Sequence, residues 1–246
     1  VKNDIWVDER FLNLYSGYPI SNNLTKKEKG MERVEELRAA AFDVVAWNAV
    51  AYEGGNHDFS PEKKAAQYGF VRSELAEMIG GAIVEDVVEA YDGIADVFVT
   101  LSYLHFLNTH GDETAFDGIL TLDGSYPGEW VEDAALMFFP EECVISDELV
   151  RVSFEGMCEK ILTDPSVDVL AVINEVMRSN WTKYPMYVDG IESECQWIEQ
   201  NRPEAEGVVM IKTESGHCVF KNSKGKIMKP STFEKPDIRS LVSDLL

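Results

Sequence analysis

The sequence predicts a mainly α-helical fold with a small β-hairpin near its C-terminal end. Three observations carry this expectation. Apolar residues recur at three- and four-residue steps through several long stretches, helix-starting and helix-stopping residues bracket them, and two short β-prone runs flank Gly216.

Residues 1–30 read as irregular, with a turn at Tyr15-Ser16-Gly17-Tyr18-Pro19 and a solvated charge run at Lys26-Lys27-Glu28-Lys29-Gly30. From Met31 to about Tyr52 the pattern is helical, through Val34, Leu37, Ala41, Val44, Val45 and Ala49, and Glu53-Gly54-Gly55-Asn56 stops it. Ser60 before Pro61 and Glu62 is an N-cap with proline at the first helical position, opening a helix to about Ile79. Gly80-Gly81 reads as a break. The next helix starts near Glu85-Asp86 and runs to about Asn108, with Val87, Val88, Tyr91, Ile94, Phe98, Leu101 and Leu104 on its apolar side, ended by Gly111. Asp123 to Gly128 is a turn cluster. Trp130–Phe139 and Asp147–Leu162 are candidate helices, and a last core helix spans Ser166 to Trp181. Gly207–Thr213 and His217–Phe220, separated by Glu214-Ser215-Gly216, read as a hairpin. These elements suggest an all-α core over 1–183, with an insertion around 111–165, and a small appendage and tail over 184–246.

The chain of 246 residues is 45% hydrophobic, which is ample for a packed core. It holds no run of eighteen or more apolar residues, so no membrane partner is expected. The opening Val1-Lys2-Asn3-Asp4-Ile5-Trp6 lacks the apolar stretch of a secretory signal. Cys143, Cys158, Cys195 and Cys218 form no Cys-x-x-Cys pair and read as reduced thiols, which together imply a cytoplasmic protein. The four histidines, His57, His105, His110 and His217, show no ligand spacing. A formal charge of −22 repels a nucleic-acid backbone and suits a protein that gathers divalent cations.

The acidic residues are patterned as well as abundant. Glu74 and Glu77 are three apart on one predicted helix, and Glu89, Asp92 and Asp96 stand at i, i+3 and i+7 on the next. At the helical turn angle the second set stays within about 60°. Helices joined by a short break pack antiparallel, which lets both sets converge. No lysine stands at i+4 from Glu74, Glu77 or Glu89, as an ordinary solvated face would favour. Small residues, Ala90, Gly93 and Ala95, are interleaved with the acids and permit close helix approach. An oxygen-only ligand set selects a hard cation, Mg²⁺ or Mn²⁺ as its substitute. The competing reading is an exposed acidic face in a chain with 44 Asp and Glu residues.

Glu74-Leu75-Ala76-Glu77 followed by Glu89-Ala90-Tyr91-Asp92-Gly93-Ile94-Ala95-Asp96 resembles the E-x-x-E…E-x-x-D signature of MazG-like enzymes. These belong to the all-α nucleoside triphosphate pyrophosphohydrolases, with phosphoribosyl-ATP pyrophosphohydrolases and dimeric dUTPases. Glu175-Val176-Met177-Arg178-Ser179-Asn180-Trp181-Thr182-Lys183 resembles the E-V-x-x-S-N-x-x-K segment of phage-type members. Gly225-Lys226-Ile227-Met228-Lys229-Pro230 and Pro236-Asp237-Ile238 resemble their G-K-x-x-K-P…P-D-I end. The resemblance covers roughly 35–109, 168–183 and 225–238. Ser73 departs from it, standing where many members carry another Glu, which leaves the number of metals open.

The resemblance implies an all-α helical bundle, a homodimer or homotetramer, and Mg²⁺-dependent cleavage between the α and β phosphates of a nucleoside triphosphate. Glu74, Glu77, Glu89, Asp92 and Asp96 are then the metal ligands, with Glu74 or Glu77 orienting or deprotonating the attacking water. Asn180, Lys183, Lys229 and, more weakly, Arg178 are the candidates for contacting phosphate or sugar. Trp47, Asn48 and Tyr91 are candidates for the base, with core packing as the competing reading of the aromatics. If the chain is phage-encoded, its compartment is the host cytoplasm. Two other readings stay open: another metal-dependent phosphohydrolase such as a nuclease, and an acidic, non-enzymatic interaction protein such as a phage factor that binds a host protein.

Overall fold

The computed structural model describes residues 26–51, 57–112, 114–122, 146–163 and 167–245. The turn readings at 15–19, 53–56 and 123–128 and the candidate helix Trp130–Phe139 lie outside these residues. The chain divides into two compact units, 1–32 and 33–246. The first contributes the opening residues of α1, and all the later elements belong to the second.

The described chain is mainly helical with one two-stranded antiparallel hairpin. Helix α1 spans Lys26–Val50, α2 Pro61–Ile83 and α3 Val87–Asn108. A 3₁₀ turn covers Asp117–Thr121, followed by α4 (Asp147–Thr163), α5 (Val169–Trp181) and α6 (Ser193–Asn201). Strands β1 (Val209–Lys212) and β2 (Cys218–Lys221) pair in the register Val209↔Lys221 to Lys212↔Cys218, and the short α7 (Ile238–Leu241) follows.

Ser60 caps α2 as expected, its side chain accepting from the Lys63 amide at 3.2 Å, with Pro61 in the first turn. Asp86 caps α3 through the Glu89 amide at 3.1 Å. Two boundaries differ from the sequence reading. Helix α1 begins at Lys26, within the residues read as an irregular charge run, since lysine and glutamate are good helix formers. Helix α2 does not break at Gly80-Gly81 but continues to Ile83, and the reversal falls at Val84–Asp86, with Glu85 at φ 57°. Tertiary packing overrides the low helix propensity of glycine here. A Cβ on Gly81 would lie 2.8 Å from the Ala90 nitrogen of α3.

Helix α3 is central. Val97 to Val99 and Leu101 to Leu107 are all buried, and the helix packs on α2, α4 and α5. Its apolar length is covered within the chain. His105, in its last turn, stacks on Phe154 at 4.9 Å and shares a hydrogen bond with the Ala115 carbonyl at 2.8 Å. Burial pushes its pKa down. Helix α1 is tied to α5 by two indoles. Trp47 Nε1 donates to the Asn180 carbonyl at 2.9 Å, and Trp181 Nε1 donates to both Asp43 oxygens at 3.0 Å.

Residues 184–246 have a small apolar cluster of their own, of Ile191, Ile198, Val208, Cys218, Phe220 and Met228. The hairpin also faces the helices, because Val219 belongs to the main core and Ile211 and Ile227 pack against it. Helix α6, within a stretch read only as β-containing, supplies Ile198 to the small cluster. Among the described residues no helix is long and apolar enough to cross a membrane.

Candidate functional site

The α2–α3 pair sets the site. Gly81 opposes Glu89–Ala90, and a Cβ on Gly93 would fall 2.6 Å from the Met78 Cα. Both contacts fit one antiparallel register, so the helices touch backbone to backbone where the acids stand. That close approach brings Glu74 and Glu77 of α2 alongside Asp92 and Asp96 of α3. Each of Glu74, Asp92 and Asp96 has its ionisation opposed by acids on the other helix. Glu89 joins the group at its edge, opposing the ionisation of Asp92. Glu77 and Glu89 are exposed, while Glu74, Asp92 and Asp96 are half-buried.

The electrostatic consequence is large. Desolvation, then repulsion from Asp96 and Glu77, pushes Glu74 up to about 7. Desolvation, then Asp92, pushes Asp96 up to about 6. Asp92 is also raised, first by burial and then by Glu89. Lys183 and Lys229 are the cations that offset this charge. Lys183 is itself lowered to about 8, by burial first and by its neighbour Lys229 second, with the acids opposing the shift.

Lys183 follows the end of α5. Its Nζ donates to Asn180 Oδ1 at 2.6 Å and lies 5.3 Å from the centre of the Trp47 ring. Asn180 is therefore buried and aims the ammonium. It reaches the acids only through Lys183. Lys229 arrives from the C-terminal segment, its Nζ 4.6 Å over the Phe233 ring. Arg178, one of the sequence candidates, is directed elsewhere. Its guanidinium is taken up by Glu175 at 2.8 Å, by Glu234, and by the Lys235 carbonyl. Trp47 is a core residue, 9% exposed and stacked on Tyr184 at 5.3 Å, and it also lines the cavity beside Lys183. Asn48 donates to the Val44 carbonyl of its own helix at 2.9 Å.

The three sequence segments that share the resemblance meet here. Besides the Arg178–Glu234 pair, Ser179 Oγ donates to the Glu234 carbonyl at 2.7 Å, and the Asp237 amide donates to Glu175 Oε1 at 2.8 Å. The acids, the α5 end and the C-terminal segment thus form one locale.

Among the described residues, no three His, Cys, Asp or Glu side chains form a ready-made metal cage. The acids are close enough to raise each other's pKa. The donor chemistry still fits a hard cation. The group is all carboxylate oxygen, carried by two helices in backbone contact, and its raised pKa values mark charge that lacks full compensation. Glu74, Glu77, Asp92 and Asp96, with Glu89 at the rim, are the residues that would hold Mg²⁺ or Mn²⁺.

Beside the acids lies a cavity of about 330 Å³ that shares the Lys183 and Lys229 wall with them. Its other side comes from residues 201–204 and from Lys226 and Ile227. Sequence reasoning did not single out Arg202, and it placed Lys226 only in a motif. Comparison with protein-family models, with curated proteins and with solved structures finds no match for this chain.

Proposed function

We propose that this protein is a Mg²⁺-dependent nucleoside triphosphate pyrophosphohydrolase, converting an NTP or dNTP to the monophosphate and pyrophosphate. The observation that carries the reading is the meeting of the α2–α3 carboxylates with Lys183 and Lys229, residues from three separated segments with the family pattern. The resemblance alone supports a homodimer or homotetramer.

Glu74 is the favoured base. It is a half-buried carboxylate at the centre of the acids, so it can orient or deprotonate a water held beside them. Bound Mg²⁺ would supply charge neutralisation for the triphosphate and its leaving oxygens. Lys183, oriented by Asn180, and Lys229 supply fixed positive charge beside the acids and hold phosphate oxygens. Arg178 fixes the tail against α5 through Glu175 and Glu234.

The test is pyrophosphate release across a panel of ribo- and deoxynucleoside triphosphates, with and without Mg²⁺. Hydrolysis in ¹⁸O-water should put the label into the monophosphate and none into the pyrophosphate, because attack falls at the α-phosphorus. Labelled pyrophosphate means attack at the β-phosphorus, and labelled orthophosphate with a diphosphate product means attack at the γ-phosphorus. Either result overturns the reaction proposed. No turnover of any triphosphate leaves the acidic interaction protein as the better reading.

A further inference from the structure

We infer that the cavity formed by Arg202, Lys226, Lys229 and Lys183 is a polyphosphate-binding subsite, taking the pyrophosphate end of a nucleotide. The inference deepens the proposed reaction and rests on it for the identity of the ligand. The cavity itself is argued from charge and packing.

The chain has 22 lysines and arginines against 44 acids, and four of those cations line this one cavity. Glu204 is the one acid that lines it, and its contact with Lys226 is loose, at 3.4 Å between half-exposed or more exposed side chains. Such a pair is weak and leaves the ammonium available to an anion. Arg202 packs its guanidinium 5.5 Å from the Trp197 ring, and its Nε is buried without a hydrogen-bond partner.

The cations on the outer side are held in place. Asn222 is buried, and its Oδ1 accepts from the Lys224 and Lys226 amides at 3.0 and 2.9 Å. Its Nδ2 donates to the Glu204 carbonyl at 3.0 Å. One side chain thus clamps the 222–226 turn to the 202–204 loop, so that Lys226 and Arg202 share a wall. The opposite wall is Lys183 and Lys229, which also face the carboxylates. A phosphate chain whose first phosphorus lies at the acids can run past this pair into the cavity. At about 330 Å³ the cavity has room for two phosphate groups with water and little room for a nucleoside besides. Residues 201–204 lie outside the stretches that share the family resemblance, whereas Lys226 lies within one of them.

The test is calorimetric titration of the full chain with inorganic pyrophosphate and with orthophosphate, in metal-free buffer. Pyrophosphate should bind, and more tightly than orthophosphate. Arg202→Met and Lys226→Met should each weaken it by on the order of tenfold, the loss of one charge-assisted contact. Glu204→Gln should tighten it, a change of sign that a misfolded variant does not produce. Pyrophosphate binding that is absent, or unaltered in all three variants, overturns the subsite while leaving triphosphate hydrolysis to be judged by turnover. Binding that follows this pattern in a protein that hydrolyses no triphosphate keeps the anion site and removes only the hydrolase reading.

Discussion

Glu74 near 7 and Asp96 near 6 make metal-free stability depend on pH in a stated direction. In the unfolded chain these groups ionise near 4.5 and 3.8, so through the interval up to the folded values the native state binds more protons. Stability then falls as pH rises. Lys183 adds a second penalty, fully present below its folded value of about 8 and relieved as pH climbs toward 10.5. These carboxylates should therefore make the metal-free protein lose stability between about pH 5 and about pH 8, while His57, His105 and His217, whose pKa values burial lowers, gain it over part of the same interval. Added Mg²⁺ should recover the loss by binding the native state. Asp96→Asn should flatten this profile and raise metal-free stability at the higher pH by on the order of 1–2 kcal/mol, after allowance for screening. The same variant, like Asp92→Asn, should abolish turnover. An Asp96→Asn protein that gains no metal-free stability over the wild type between about pH 5 and about pH 8, or that keeps full activity, removes the carboxylates from the site. These acids were legible in the sequence because helical spacing is a local property. The ion pair of Arg178 was also readable, from Glu175 three residues earlier on the same helix. Arg202 and Lys226 were not legible, because their cavity exists only once Asn222 joins two distant loops.

At the scale of elements, two glycines with the same helical backbone have opposite roles. Gly80 has nothing within 4 Å of a built Cβ, whereas Gly93 would place one 2.6 Å from the Met78 Cα. Gly80→Ala should therefore stabilise the protein by roughly 0.5–1 kcal/mol, by lowering the entropy of the unfolded chain and favouring the helix. Gly93→Ala should cost about 1–3 kcal/mol and lower turnover as well, since α2 and α3 must separate where they hold the acids. Urea unfolding of both variants with parallel assays checks this. Equal effects would show that the close approach at Gly93 does not set the site. The pair also explains what the sequence hid. Gly80-Gly81 carries a strong local breaker signal, and only the partner helix shows that Gly81 is there for contact with Ala90. The capped starts of α2 and α3 and the hairpin around Gly216 were readable, because caps and turns are satisfied by neighbours in sequence. Helix α6 was missed because it is nine residues long and buries only Ile198, too little apolar periodicity to announce a helix.

For the whole molecule, the formal charge of −22 must be reconciled with a polyanionic substrate. Lys183, Lys229, Lys226 and Arg202 make a local attractive patch, but a ligand crosses the field of the entire chain before reaching it. At low ionic strength that field is repulsive over tens of ångströms, since the Debye length is about 30 Å at 0.01 M and about 10 Å at 0.1 M. Contacts made inside the cavity act over a few ångströms and are screened far less. Raising the salt between these limits should hence weaken the long-range repulsion more than the short-range attraction. With Mg²⁺ held saturating, so that salt does not strip the metal, kcat/KM for a triphosphate should rise severalfold over this range while kcat changes little. The sign is diagnostic. A protein whose basic patch governed encounter would show the reverse, with kcat/KM falling as salt is added. A fall here would mean that the four cations dominate the approach path despite the net charge, and that the acidic surface lies away from the substrate's route.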